Sequence, residues 1–168
     1  MAEYSAAVIT VSDASSRGER EDLSGPAVAD LLSASGFRVE HQTIVPDEQP
    51  VIRHALIHAT QVCDLVVTTG GTGIAPRDVT PEVTRQVCER FIEGIPEQMR
   101  ALGREKTPFA VLSRGVCGIR GQSIILNLPG SPSGACESLA SVVGLLGHAL
   151  NLLRGNTAHP PEFHSQAK

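Results

Sequence analysis

Three short runs of almost purely apolar and β-branched residues, at 6–12, 65–69 and 123–128, constrain this chain more than any other feature. They do not alternate apolar with polar, so they predict strands covered on both faces, as in a parallel sheet between helix layers. Helical repeats lie between them. Ser24 reads as an N-cap, with Pro26 near the helix start, Val28, Leu31 and Leu32 on one face and Gly36 as terminator. Val51, Ile52, Ala55, Leu56 and Ala59 repeat at helical spacing after Pro50. Residues 37–45 alternate enough for an edge strand, which Pro46 ends. Thr80 reads as the cap of a helix with Pro81 at its first position and Glu82 in its first turn. A break at 94–96 precedes a helix over 97–103, and 109–112 is short enough to be strand or helix. A turn through Gly134 precedes one long apolar helix over 135–153. The expected fold is α/β: a three-layer α/β/α domain with a mostly parallel central sheet over residues 1–155. A loose polar tail is expected over 156–168.

A 168-residue chain buries about 70% of its unfolded surface, enough for one core without a metal or disulfide scaffold. Lys and Arg number 14 against 18 Asp and Glu, a net charge of −4, and aromatics are only 3% with no Trp. Base-stacking single-strand binders need aromatic platforms and duplex binders need a basic surface, so no nucleic-acid partner is expected. The most apolar stretch, 139–153, is shorter than a membrane span and contains His148 and Asn151, so it reads as a buried helix. No basic segment followed by an apolar run opens the chain, and the four cysteines form no C-x-x-C pair. Each cysteine reads as a small core residue of a reducing compartment, and a cytoplasmic location is expected.

In a parallel sheet, ligands sit outside the carboxyl ends of the strands. Four such ends are polar and turn-rich: Ser12-Asp13, Pro46-Asp47-Glu48, the stretch from Thr69 to Asp78, and the stretch from Asn127 to Gly134. Gly70, Gly71, Thr72 and Gly73 suit an anion cradle, since glycines let backbone N–H groups approach a phosphate. The same run also suits a tight turn needing positive φ. Asp47 and Asp78 each lie just past a strand end; two carboxylates beside a phosphate loop suit Mg²⁺. Their alternative is local, a turn after Pro46 and a helix start before Thr80. Ser113, Arg114, Arg120 and Arg77 could supply hydroxyl and cationic groups to an anionic ligand, or lie solvated on the surface. His54 and His58 stand i, i+4 on a helix with no third metal ligand in evidence. No nucleophile–base constellation is readable.

The string Thr68-Thr69-Gly70-Gly71-Thr72-Gly73 with Pro76-Arg77-Asp78-Val79-Thr80-Pro81-Glu82 resembles the molybdopterin adenylyltransferase family of molybdenum cofactor biosynthesis. Thr10-Val11-Ser12-Asp13, Ser24-Gly25-Pro26, Pro46-Asp47-Glu48, Leu112-Ser113-Arg114, Gly118-Ile119-Arg120-Gly121 and Asn127-Leu128-Pro129-Gly130-Ser131-Pro132 match in order. The resemblance spans residues 6–153 and implies a trimeric enzyme that adenylates molybdopterin with ATP and Mg²⁺, releasing pyrophosphate. It implies catalytic and metal-binding roles for Asp47 and Asp78. It sets Gly70, Gly71, Thr72, Gly73, Ser113 and Arg114 against the pterin substrate and its phosphate. It sets Ser12, Asp13, Pro129, Gly130 and Ser131 around the adenylate. Family members often carry an amide or basic residue in the turn where this chain has Ser131 and Ser133. A molybdenum-insertion protein is the implied downstream partner. A non-catalytic molybdopterin-binding or scaffolding module of the same fold is the alternative, since a fold does not by itself give function.

Overall fold

The apolar runs are the central strands β1 (Ser5–Val11), β3 (Leu65–Thr69) and β6 (Ser123–Leu128), and every residue in them is buried. With β2 (Arg38–Val45), β4 (Arg90–Phe91) and β5 (Cys117–Arg120) they form a six-stranded sheet in the order β2-β1-β3-β6-β5-β4. The computed structural model describes residues 4–156. Pairing is parallel from β2 to β6, while β5 runs antiparallel to both β6 and β4. Helices α2 (Ser24–Ala34), α5 (Gly94–Gly103), α6 (Pro132–Ala140) and α7 (Val143–Leu153) cover one face. There Val28, Leu32, Met99, Leu139 and Leu146 pack with Val8, Val67 and Leu126. Helices α3 (Gln49–Val62) and α4 (Thr80–Val87) cover the other, where Ile52, Leu56, Val83 and Val87 meet Ile9, Val66 and Ile125. The fold is the expected three-layer α/β/α, with each fully buried aliphatic side chain worth about 1.5–3 kcal/mol.

Several local expectations need correction. The apolar run 135–153 is not one helix: α6 begins at Pro132, ends at Ala140, and α7 leaves it at a 57° bend. The Ser141 hydroxyl donates to Ser138 O at 2.6 Å, and such local bonds compete with the helical ladder. The bend lets both segments lay apolar faces on the sheet, and no single helix among the described residues is long and apolar enough to cross a membrane. Ser24 is inside α2 rather than its cap; Asp22 Oδ1 accepts the Gly25 N–H at 3.0 Å, and the Ser24 and Thr69 hydroxyls pair at 2.9 Å. Thr80 likewise is the first residue of α4, after Val79, and its hydroxyl donates to Gly70 O at 3.1 Å. The break expected at 94–96 is the first turn of α5, where Pro96 needs no N–H. Pro108–Leu112 is a 3₁₀ turn capped by Thr107.

Cys63 and Cys117 are buried, Cys88 and Cys136 half-buried, and all four are free thiols. Burial pushes the Cys88 thiol up to about 11 and Cys117 to about 12, which suits inert packing. Apart from Asn156, the expected loose tail lies outside the described residues.

The chain runs from β1 out to the edge strand β2, then crosses back over β1 to β3. That reversal opens a crevice beyond the carboxyl ends of β1 and β3. The loops that follow β1, β2, β3 and β6 all leave the sheet on this edge.

Candidate active site

The segment after β1 starts α1 (Asp13–Ser16), capped by the Ser12 hydroxyl, which accepts the Ser15 N–H at 3.2 Å. Asp13 there meets Asp47 from the end of β2. The Asp13 N–H donates to Asp47 Oδ2 at 2.9 Å, and the Asp47 N–H donates to Asp13 Oδ1 at 3.0 Å. Arg77, from the glycine loop, closes a bidentate pair on Asp13 at 2.6 and 3.0 Å. That guanidinium holds the Asp13 carboxyl below its ordinary value, helped by the Asp47 backbone N–H.

The loop itself is shaped by Gly70 and Gly71, at φ 92° and 64°. A Cβ on Gly70 would overlap Val11 O; one on Gly71 would overlap Thr80 Oγ1 and stand 3.1 Å from Asp47 Oδ1. The positive-φ turn expected of this run is present, and it brings the loop backbone close to the ends of β1 and α4. Two residues on, the Cβ position of Gly73 is 2.8 Å from Asp78 Oδ2, which accepts the Ala75 N–H at 2.9 Å. Asp47 and Asp78 thus flank the same short loop. Desolvation raises the Asp47 carboxyl above its ordinary value, and the charges of Asp13 and Asp78 push the same way. Asp47 Oδ1 and Asp78 Oδ1 accept no hydrogen bond among the described residues. Two half-satisfied carboxylates in a region of excess negative charge are a donor set that fits a hard divalent cation.

Beside this carboxylate group lies a cavity of about 580 Å³ between α5, the 3₁₀ turn and α6. Ser113, Pro129 and Ser131 line it, with Phe109 and the cations Arg100 and Lys106. The volume suits a small organic ligand. Gly130 joins the two regions, since its Cβ position is 3.3 Å from Gly70 Cα. Ser131 caps α6 by accepting the Gly134 N–H at 3.2 Å, so a helix N-terminus opens at this junction.

Arg114 is the second link. Its N–H donates to Thr72 O at 2.9 Å, its Nε to Gly73 O at 2.6 Å and one Nη to Asp78 O at 2.7 Å. The other Nη pairs with the Glu82 carboxylate. Arg120 donates to Val87 O at 2.9 Å from β5, away from the carboxylates. His54 and His58 stack on exposed α3 positions, ring centroids 6.5 Å apart. No motif marks Arg100, which reaches the cavity through the packing of α5 on α6, or Lys106, which lies just past α5 and pairs with Glu137 of α6 at 2.9 Å.

Residues 7–148 match the family model described as "Probable molybdopterin binding domain". The chain belongs to this molybdopterin-binding domain family. A molybdopterin adenylyltransferase of Helicobacter pylori (strain J99) is 43% identical over 164 residues, covering 95% of this chain and 93% of its own length. The crystal structure of the molybdopterin biosynthesis enzyme MoaB from Thermus thermophilus superposes with a TM-score of 0.85 at 48% identity, covering 90% of this chain and 97% of that one. Molybdenum cofactor synthesis protein cinnamon of Drosophila melanogaster is 36% identical over 164 residues, 96% of this chain but 27% of that longer protein. The molybdopterin-binding domain family therefore includes relatives of this chain's size and relatives in which the matching segment is one part of a larger polypeptide.

Proposed function

We propose that this protein is a molybdopterin adenylyltransferase acting in molybdenum cofactor biosynthesis. A terminal phosphate oxygen of molybdopterin attacks the α-phosphorus of ATP. The bond between that phosphorus and the α–β bridging oxygen breaks, pyrophosphate leaves, and adenylyl-molybdopterin is the product. The observation that carries this reading is the pair Asp47 and Asp78 on either side of the Gly70–Gly73 loop, beside a cavity large enough for a pterin. A protein that only holds the pterin has no use for two half-satisfied carboxylates at that point.

Asp47 and Asp78 would hold Mg²⁺, which when bound supplies charge neutralisation for the phosphates in such transfers. Ser12, Asp13, Pro129, Gly130 and Ser131 frame the adenylate, and the N-terminus of α6 favours its phosphate. Ser113 takes the pterin side of the cavity, with Arg100 balancing its phosphate, while Lys106 is paired with Glu137 on the same wall. Gly70, Gly71, Thr72 and Gly73 line the shared phosphate region. Arg114 acts by holding that loop and the backbone of Asp78, since its donors are already engaged. Transfer of this kind asks the protein for positioning and charge stabilisation, not a covalent nucleophile. We place the reaction in the cytoplasm and in a homotrimer, with a molybdenum-insertion protein downstream.

The test is pyrophosphate release by the purified protein with molybdopterin, ATP and Mg²⁺, with EDTA as control. Release that needs both pterin and metal, with an adenylated pterin as product, is expected. Tight pterin binding without release would overturn the enzyme reading in favour of a binding module.

A further inference from the structure

At the other end of the sheet, Glu40, His41 and Cys63 bring a carboxylate oxygen, an imidazole nitrogen and Sγ within 4.8 Å of one another. Among the described residues this is the one such group of three. Adjacent strand residues ordinarily point to opposite faces, so a Glu-His dipeptide in β2 should not converge on one partner. A bulge changes that. Val39 pairs with Ala6 and His41 with Ala7, leaving Glu40 as the extra residue. Bulges re-aim side chains in this way. His41 shares a face with its partner Ala7, and Ala7 belongs to the same buried cluster as Cys63, under α3.

Cys63 ends α3 and is 4% exposed, whereas Glu40 and His41 are exposed on the outer strand. The group is thus open to solvent on one side and closed by a buried sulfur on the other. Arg38 Nε donates to Glu40 Oε1 at 2.7 Å, and a surface ion pair is the plain explanation for Glu40 alone. It accounts for neither His41 nor Cys63. An arginine on one carboxylate oxygen is also the kind of outer partner that orients a metal-ligating carboxylate. The strands carry the carboxylates of the candidate active site at their opposite ends, so adenylyl transfer has no use for these three residues.

We propose that Glu40, His41 and Cys63 form a binding site for Zn²⁺, with three protein ligands and an open fourth position. Thiolate, imidazole and carboxylate are the donors zinc sites use, and three of them with one free position is a recurrent zinc arrangement. Mg²⁺ and Ca²⁺ prefer all-oxygen sets. Binding converts the Cys63 thiol to a zinc thiolate and releases its proton to solvent.

The test uses the full chain, stripped with chelator and titrated with Zn²⁺ by calorimetry and with Co²⁺ by absorption. One Zn²⁺ per chain and a thiolate-to-cobalt charge-transfer band are expected. Cys63→Ser should abolish the band, and His41→Ala should weaken Zn²⁺ binding by about tenfold or more. Cys136→Ser and the double variant Asp47→Asn/Asp78→Asn should keep the band. Cys63 borders the core, so His41→Ala, at an exposed position, carries the test should Cys63→Ser fail to fold. Absence of a thiolate band in the wild type, a band that survives Cys63→Ser, or unchanged Zn²⁺ affinity in His41→Ala would each overturn the proposal.

Discussion

Asp13 and Asp47 exchange hydrogen bonds, each carboxylate accepting the backbone N–H of the other at 2.9 and 3.0 Å. Two acidic residues from different strand ends are thereby fixed against each other by their own backbone donors. The arrangement is asymmetric. Arg77 neutralises Asp13, whereas Asp47 is desolvated and feels the charges of Asp13 and Asp78.

This asymmetry sets a pH dependence. The folded state raises the Asp47 pKa above the unfolded value of about 3.9, so its contribution to stability is present below that value and lost as pH rises through the folded pKa. Under the proposed role activity runs the other way, because Asp47 must be ionised to hold a cation. The acid limb of kcat/KM should therefore lie above the ordinary aspartate value. Asp13→Asn keeps an oxygen for the Asp47 N–H but removes a charge whose effect on Asp47 exceeds that of Arg77. The limb should move to lower pH in that variant, measured by pyrophosphate release from about pH 4 to 8. A limb that stays in place would remove Asp47 as the titrating group.

Asp78→Asn separates charge from structure. The amide oxygen can still accept the Ala75 N–H that the carboxylate takes at 2.9 Å, so the loop should keep its shape. Negative charge toward the cation is lost. We expect kcat to fall by about 10² or more, with the melting temperature and pterin affinity little changed. Near-normal turnover would refute the catalytic assignment of Asp78.

The legibility of these features follows the range of the forces that make them. The central strands could be read from sequence because burial on both faces leaves a local trace in Leu65–Thr69 and Ser123–Leu128. The α6–α7 bend could not, because the apolar pattern runs unbroken past Val142 while a local side-chain bond from Ser141 competes with the helical ladder at the break. Strand β4 is only Arg90–Phe91, both exposed, and has no pattern of its own. Loop motifs marked Asp13, Asp47 and Asp78, but not that Asp13 would hold both Asp47 and Arg77. The bulge at Glu40 appears only once β2 is laid against β1.

Gly71→Ala tests the loop by volume. The position has φ 64°, and a Cβ there overlaps Thr80 Oγ1 and crowds Asp47 Oδ1. We expect a stability loss of about 1–3 kcal/mol in urea unfolding, with activity falling further than stability explains. Gly147→Ala is the control: nothing lies within 4 Å of its Cβ position inside α7, so it should stabilise by up to about 1 kcal/mol. Equal effects of the two substitutions would mean that the loop tolerates a side chain and is no close-approach cradle.

Arg114→Lys asks what the guanidinium fork is for. The ion pair with Glu82 is 38% and 46% exposed at its two side chains, so by itself it is worth little. The weight falls on Gly73 O and Asp78 O, two loop carbonyls that one planar group reaches at 2.6 and 2.7 Å. A lysine ammonium keeps the charge but cannot span carbonyls and carboxylate together. Arg114→Lys should therefore cost about 1–3 kcal/mol in stability, and lower kcat more than it raises the KM for pterin, because Asp78 loses its support. Glu82→Gln should be milder on both counts. If Glu82→Gln matched Arg114→Lys in urea unfolding and in turnover, the ion pair and not the grip on the loop carbonyls would be what holds Asp78 in place.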